Sequence, residues 1–201
     1  MQALTVHTGT VLPLRRSDVD TDQITPARFV PYLSLQGYAN ALFADWRREP
    51  EFPLNRPEYQ GATILVAGSD FGTGSSRESA VWAIQLAGFR VVLAPRFGDI
   101  FRANALSRGL LAVEIPAELV ERLWTRAETD CFAAVTVDLE QQQVRFDEVV
   151  QPFGLEPGAR ERILRGLDPI GETLAFDLDI TRFETAARRA ALPVTTAPSI
   201  P

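Results

Sequence analysis

The stretch Gly68-Ser69-Asp70-Phe71-Gly72-Thr73-Gly74-Ser75-Ser76-Arg77-Glu78 constrains this chain more than any other. Before it stands Ala62-Thr63-Ile64-Leu65-Val66-Ala67, a short apolar run bounded by Gly61 and Gly68, which predicts a buried strand. After it, Ser79 to Gly88 is rich in alanine and stopped by glycine, which predicts a helix. Strand, glycine loop and helix start together aim free backbone N–H groups and the positive end of a helix at an anion. Two serine hydroxyls and one guanidinium converge on that point.

Nucleotide motifs do not account for the loop. A P-loop needs a lysine where none follows Gly74, and Arg77 stands where the dinucleotide fingerprint needs its third glycine. An esterase elbow fails as well, because Gly74-Ser75-Ser76-Arg77-Glu78 lacks the closing glycine and His7 is the single histidine. Two readings stay open. Ser75-Ser76-Arg77-Glu78 fits a capping box, with Ser75 as N-cap and Glu78 as its reciprocal partner. Alternatively the loop receives a carboxylate, with glycines admitting it to the backbone and Arg77 gripping it in bidentate fashion.

The chain's 201 residues suffice for one domain with a true core, or a domain plus a small appendage. A net charge of −6 without a basic block argues against nucleic acid and anionic membrane as partners. An acidic protein must bind an anion through local donors, which raises the weight of Arg77. Cys131 is the sole cysteine, so neither an internal disulfide nor a cysteine-ligated metal site fits the chain, and a place at the start of a buried strand is expected for it. Without a leader-like N-terminus or a run of membrane-spanning length, a cytoplasmic location is expected.

In chain order, residues 4–14 predict one or two short strands, with His7 on a strand surface. Asp18, Asp20 and Asp22 alternate like a calcium loop but lack its glycine and closing glutamate, leaving a polar turn. Residues 27–57 are apolar and broken by Pro31, Gly37 and Pro50; they form either a mobile lid or a rigid loop packed on the core. Within them, Ala39 to Arg48 predicts a short helix. From 62 to 127 strands and helices alternate, which predicts βαβ units and a parallel sheet flanked by helices. Beyond 128 the pattern changes to a hairpin over 132–146 and helices over 158–166 and 179–191. The Pro/Thr/Ala-rich residues 193–201 read as a disordered tail.

Taken together, Asp20-Thr21-Asp22-Gln23-Ile24, the Gly72-x-Gly-Ser-Ser-Arg-Glu78 loop, Phe97-Gly98-Asp99-Ile100-Phe101-x-x-Asn104, Gly109-Leu110-Leu111 and Gly166-Leu167-Asp168-Pro169-Ile170-Gly171-x-Thr173-Leu174 resemble the small subunits of isopropylmalate isomerase, in the aconitase superfamily. The resemblance spans residues 1–192 and implies an α/β swivelling β/β/α domain that is incomplete as an enzyme. It implies a large-subunit partner carrying a [4Fe–4S] cluster, no cofactor in this chain, and a small dicarboxylate substrate. The implied reaction is a hydro-lyase interconversion of 2- and 3-isopropylmalate through 2-isopropylmaleate, in leucine biosynthesis.

Carried onto this sequence, the family pattern makes Ser75 the base, Arg77 a carboxylate ligand and Ser76 its assistant, with Asp22 near the substrate. Leu33 and Leu35 fall in the family's substrate-recognition loop, where they suit an isopropyl group. Rival readings are a homoaconitate or methylmalate (citraconate) hydratase subunit, or a non-catalytic anion-binding module.

Overall fold

Four short strands form the central parallel sheet: β2 (Val11–Leu14), β3 (Ile64–Ala67), β4 (Val91–Ala94) and β5 (Leu111–Glu114), adjacent in that order. The computed structural model describes residues 1–32 and 35–185, and gives at most the backbone for residues 30–36. All four strands are rich in Val, Leu, Ile and Ala, as a sheet covered on both faces requires. Their register lines up Leu12, Leu65, Val92 and Ala112 in one row across the sheet. That row belongs to one core cluster, while Val66, Leu93 and Val113 from the next row belong to another. Period-two alternation thus sends successive residues into two separate hydrophobic layers.

The first layer is closed by helices. Helix α3 (Glu78–Leu86) links β3 to β4, and α4 (Asp99–Arg108) links β4 to β5. Gly109 closes α4 in the left-handed conformation at φ 80°. Helix α2 (Leu35–Ala41) packs against α3, with Tyr38 edge-on to Trp82 at 5.6 Å. The sequence predicts this helix later, over Ala39 to Arg48. Phe43 instead adopts a left-handed φ of 50° and donates its N–H to the Ile24 carbonyl at 2.8 Å, which ends the helix, and Trp46–Arg48 forms a separate 3-10 turn. Leu42, Phe43 and Phe52 are buried, so this part of the 27–57 segment is seated in the core.

The second layer lies between the parallel sheet, helix α5 (Ala117–Thr129) and an antiparallel sheet. That sheet runs β1 (Val6–Gly9), β6 (Val135–Asp138), β7 (Gln143–Phe146) and β8 (Val149–Pro152) in spatial order. Trp124 on α5 donates its indole N–H to the Val66 carbonyl at 2.8 Å, so its polar end is satisfied inside the core. The expected hairpin is therefore part of a four-stranded sheet, with β1 and β8 added to it. Cys131 sits half-buried in the turn after α5, four residues before β6 rather than at its start. His7 lies on β1 and shares a 2.8 Å hydrogen bond between Nε2 and Thr63 Oγ1. Partial burial, and then Arg90, hold its imidazole pKa below the ordinary histidine value.

Helix α6 (Pro157–Arg165) follows β8, and its N-cap Glu156 accepts from Gly158 and Ala159 N–H at 2.8 and 2.7 Å. The described residues divide into two compact units, the first ending at Asp168. The second contains α7 (Pro169–Leu174) and α8 (Asp177–Phe183). The helix expected over 179–191 begins earlier, at Asp177, and its later part, like the tail 193–201, lies outside the described residues.

Candidate active site

Loops leaving the C-terminal ends of three adjacent parallel strands meet at one edge of the sheet, the place where open α/β sheets bind ligands. The loop after β3 pairs on one side with the segment after β2, through an Asp20–Thr73 bridge, and on the other with the segment after β4, through a Phe71–Phe97 bridge. Gly72 donates its N–H to the Val19 carbonyl at 2.6 Å, and Gly98 donates to Phe71 at 2.9 Å. Below the loop, the rings of Phe71 and Phe101 meet edge to face at 5.3 Å, with Phe97 stacked on Phe101 at 6.2 Å. The Phe97-Gly98-x-x-Phe101 motif is thus the loop's support.

The segment after β2 is a short helix, α1 (Thr21–Ile24), where the sequence predicts only a polar turn. Asp20 and Gln23 form a reciprocal capping box, with Gln23 N–H on Asp20 Oδ1 at 2.7 Å and Asp20 N–H on Gln23 Oε1 at 2.8 Å. Asp20 is therefore structural. The helix turns Asp22 toward the serine loop, where its carboxylate accepts from Arg77 Nη1 and from the Ala27 N–H at 3.1 Å. The Arg77 hydrogen bond, ahead of that from Ala27, holds the Asp22 carboxyl below the usual carboxylate range.

Ser75 and Ser76 are both exposed, and among the described residues neither hydroxyl has a hydrogen-bond partner. The capping-box alternative is not realised. Arg77 is the N-cap residue of α3, no side chain caps the helix, and Glu78 pairs with Arg108 of α4. Among the described residues the first-turn N–H groups of α3 thereby have no side-chain acceptor. Arg77 is half-buried, its side chain 22% exposed, and bonding to Asp22 through Nη1 leaves its other N–H groups for a ligand. Leu33 lies outside the described residues, and Leu35 is described only as backbone at the start of α2.

One contributor escapes sequence reasoning because its partner is 54 residues away. Thr21, 2% exposed, donates its hydroxyl to the Ser75 carbonyl at 2.8 Å, while its N–H bonds the Thr73 carbonyl at 3.0 Å. Thr21 pins the backbone that carries Ser75. Thr21→Val keeps the side-chain volume and removes the hydroxyl, so it is expected to cost about 1 kcal/mol of stability. Any reaction that uses Ser75 is expected to slow roughly tenfold from a displaced serine, with Thr21→Ser restoring it; urea unfolding and steady-state rates check both.

The family model for the aconitase C-terminal domain matches residues 1–118. A 3-isopropylmalate dehydratase small subunit from Acidothermus cellulolyticus is 56% identical over 196 residues, covering 98% of both chains. Small subunits from Frankia alni and Streptomyces griseus are 53% and 52% identical, covering 96% and 98% of this chain and 98% and 100% of their own lengths. The chain belongs to the family of 3-isopropylmalate dehydratase small subunits. A crystal structure of a 3-isopropylmalate dehydratase from Methanocaldococcus jannaschii superimposes with a TM-score of 0.67 at 26% identity, covering 88% of this chain and 98% of that one. This small subunit therefore has the mixed α/β aconitase C-terminal fold, a parallel sheet flanked by helices with an antiparallel sheet beside it.

A [4Fe–4S] cluster does not fit this small subunit. It has one cysteine, and among the described residues no group of three or more His, Cys, Asp or Glu is arranged to hold a metal ion. Among the described residues no helix is long and apolar enough to cross a membrane.

Proposed function

We propose that this chain supplies the substrate-gripping half of a cytoplasmic hydro-lyase that interconverts 2-isopropylmalate and 3-isopropylmalate through 2-isopropylmaleate. The other half is a large subunit that holds the [4Fe–4S] cluster, and no step on this chain runs through that cluster. The observation that carries this reading is the open helix start of α3, with two hydroxyls that have no partner among the described residues and a half-buried guanidinium beside it. A buried, enclosed site would serve an enzyme complete in one chain. An exposed one at a sheet edge suits a surface that a second chain covers.

Dehydration removes a C–H proton and releases hydroxide as water; rehydration reverses both on the neighbouring carbon. In the proposed mechanism the Ser75 alkoxide takes the proton in one direction and, as the hydroxyl, returns it in the other. Arg77 holds a substrate carboxylate, helped by the Ser76 hydroxyl and the first N–H groups of α3. Asp22 holds the guanidinium through Nη1. The family's substrate-recognition loop, in which Leu33 and Leu35 fall, is assigned to the isopropyl group, and apolar recognition of that kind discriminates by only ~1–3 kcal/mol per methylene.

Arg77→Lys keeps the charge and loses the fork, so KM is expected to rise about 10–100-fold with a smaller change in kcat. A fall in kcat with KM unchanged would place Arg77 outside ground-state binding.

The proposal is tested by purifying the chain with a cluster-bearing large subunit and following 2-isopropylmaleate by its ultraviolet absorbance. Conversion by the pair and by neither chain alone is expected. Faster conversion of homoaconitate or citraconate would shift the substrate. Anion binding by the isolated chain, with an inactive pair, would favour a binding module instead.

A further inference from the structure

The spacing Ser75-x-x-Glu78 favours a reciprocal cap, yet α3 starts two residues late for one, with Glu78 as its first helical residue. Glu78 is engaged elsewhere: its Oε1 accepts from Arg108 Nε. Arg108 is the last residue of α4, and its carbonyl accepts from Gln85 Nε2 at 2.9 Å. Glu78 and Gln85 are seven apart, two turns along one face of α3. Arg108 is thus held by its backbone at one end of that face and reaches Glu78 at the other. Asp168 is a second acid close enough to favour the charge of Arg108. Among the described residues neither the Ser75 N–H, which a reciprocal cap would engage, nor the Ser75 hydroxyl has a partner.

We propose that Arg108 is a positioning residue: by holding Glu78 on α4 it keeps the Ser75 hydroxyl from closing into a helix cap, which rests on the reading of Ser75 as the base. In the capped arrangement α3 would start at Ser76, Ser75 Oγ would accept from the Glu78 N–H, and the Glu78 carboxylate would accept from the Ser75 N–H. A serine oxygen so engaged is not free to meet a substrate proton. An exposed ion pair and a serine cap are each worth little and are similar in size. Loss of the pair is therefore enough to shift the balance between the two arrangements. The capped one also takes up first-turn N–H groups and moves Arg77 from the N-cap into the helix, so a carboxylate binds the open one better. Thr21 opposes the same change from the other side, because the Ser75 carbonyl it holds is the one an N-cap gives to the first intrahelical bond.

The test combines urea unfolding of the full-length chain with kinetics of its pair with the large subunit. Ser75→Ala is expected to leave the urea midpoint unmoved in the wild-type chain and to lower it in the Arg108→Ala background, where the serine has become a cap. Glu78→Gln cuts the ion pair from the other side, leaves Arg108 beside Asp168, and keeps a side chain that completes a capping box; the same coupling to Ser75 is expected there. In the pair, Arg108→Ala is expected to raise KM about tenfold with kcat held, because substrate must first select a minor open state. Arg108→Lys is expected to restore KM. Equal effects of Ser75→Ala in all backgrounds overturn the proposal and leave the base reading intact. Coupling on urea with an unchanged KM in the pair overturns the positioning role in the assembled enzyme. Near-normal turnover of Ser75→Ala overturns the base reading and the positioning role together.

Discussion

Ser75→Ala is expected to lower turnover of the assembled enzyme by about 10²–10⁴, the range for losing a positioned base, while assembly and folding are unaffected. The hydroxyl is exposed and has no partner among the described residues, so the fold loses nothing that a urea titration would register. That separation is unusual for a polar group at a helix start, where a serine-to-alanine change normally costs about 1 kcal/mol through the lost cap. A serine proton is hard to remove near neutral pH. The groups that favour its loss are the start of α3 and Arg77, whose charge is shared with Asp22 in this chain. On the proposed mechanism the hydroxyl becomes a base only when a covering partner excludes water and strengthens that field. The check is paired: kcat on 2-isopropylmaleate with the large subunit, and unfolding of the isolated chain. Near-normal turnover would remove Ser75 from the base role, and a large loss of stability would mean that it caps after all.

Strands β3, β4 and β5 were legible because each is a short apolar run bounded by glycine or proline, and the two connections between them carry helical spacing. The site loop was legible for a related reason, since few local demands bring three glycines, two serines and an arginine together. What the sequence hid depends on distant partners. The Ser-x-x-Glu spacing suggests a cap, but Glu78 is drawn to Arg108, thirty residues on, and Thr21 holds the Ser75 backbone from the other side. Helix α2 is masked by Gly37, whose helix cost is outweighed by packing against α3. Strand β8 follows β7 through Asp147 at φ 46°, without the Asn-Gly signal that marks such turns, and it ends in a proline. The capping box of α1 was present as Asp20-x-x-Gln23, yet four residues are too few for periodicity to reveal a helix.

Gly72→Ala tests how the loop is held, and it is expected to destabilise the isolated chain by about 2–5 kcal/mol. Gly72 has φ +81°, which costs an L-residue roughly 1–2 kcal/mol. A Cβ there would lie 2.2 Å from Phe101 Cγ and 2.6 Å from Phe101 Cβ. Phe101 is 2% exposed and wedged between Phe71 and Phe97, so it cannot swing aside, and overpacking of this kind adds about 1–3 kcal/mol. Nor can the loop lift, because the Gly72 N–H is tied to Val19 and the space above its carbonyl is filled by Gly98. Gly61→Ala is the control. Gly61 has nearly the same φ, +85°, with nothing within 4 Å of a built Cβ, so it carries the backbone cost alone. Urea unfolding of the two variants therefore separates conformational strain from the clash. Against a total stability of about 5–15 kcal/mol, the Gly72 change consumes much of what the domain has. If both variants unfold at the same urea concentration, the aromatic support does not clamp the serine loop, and the positions of Ser75 and Arg77 depend on the partner subunit instead.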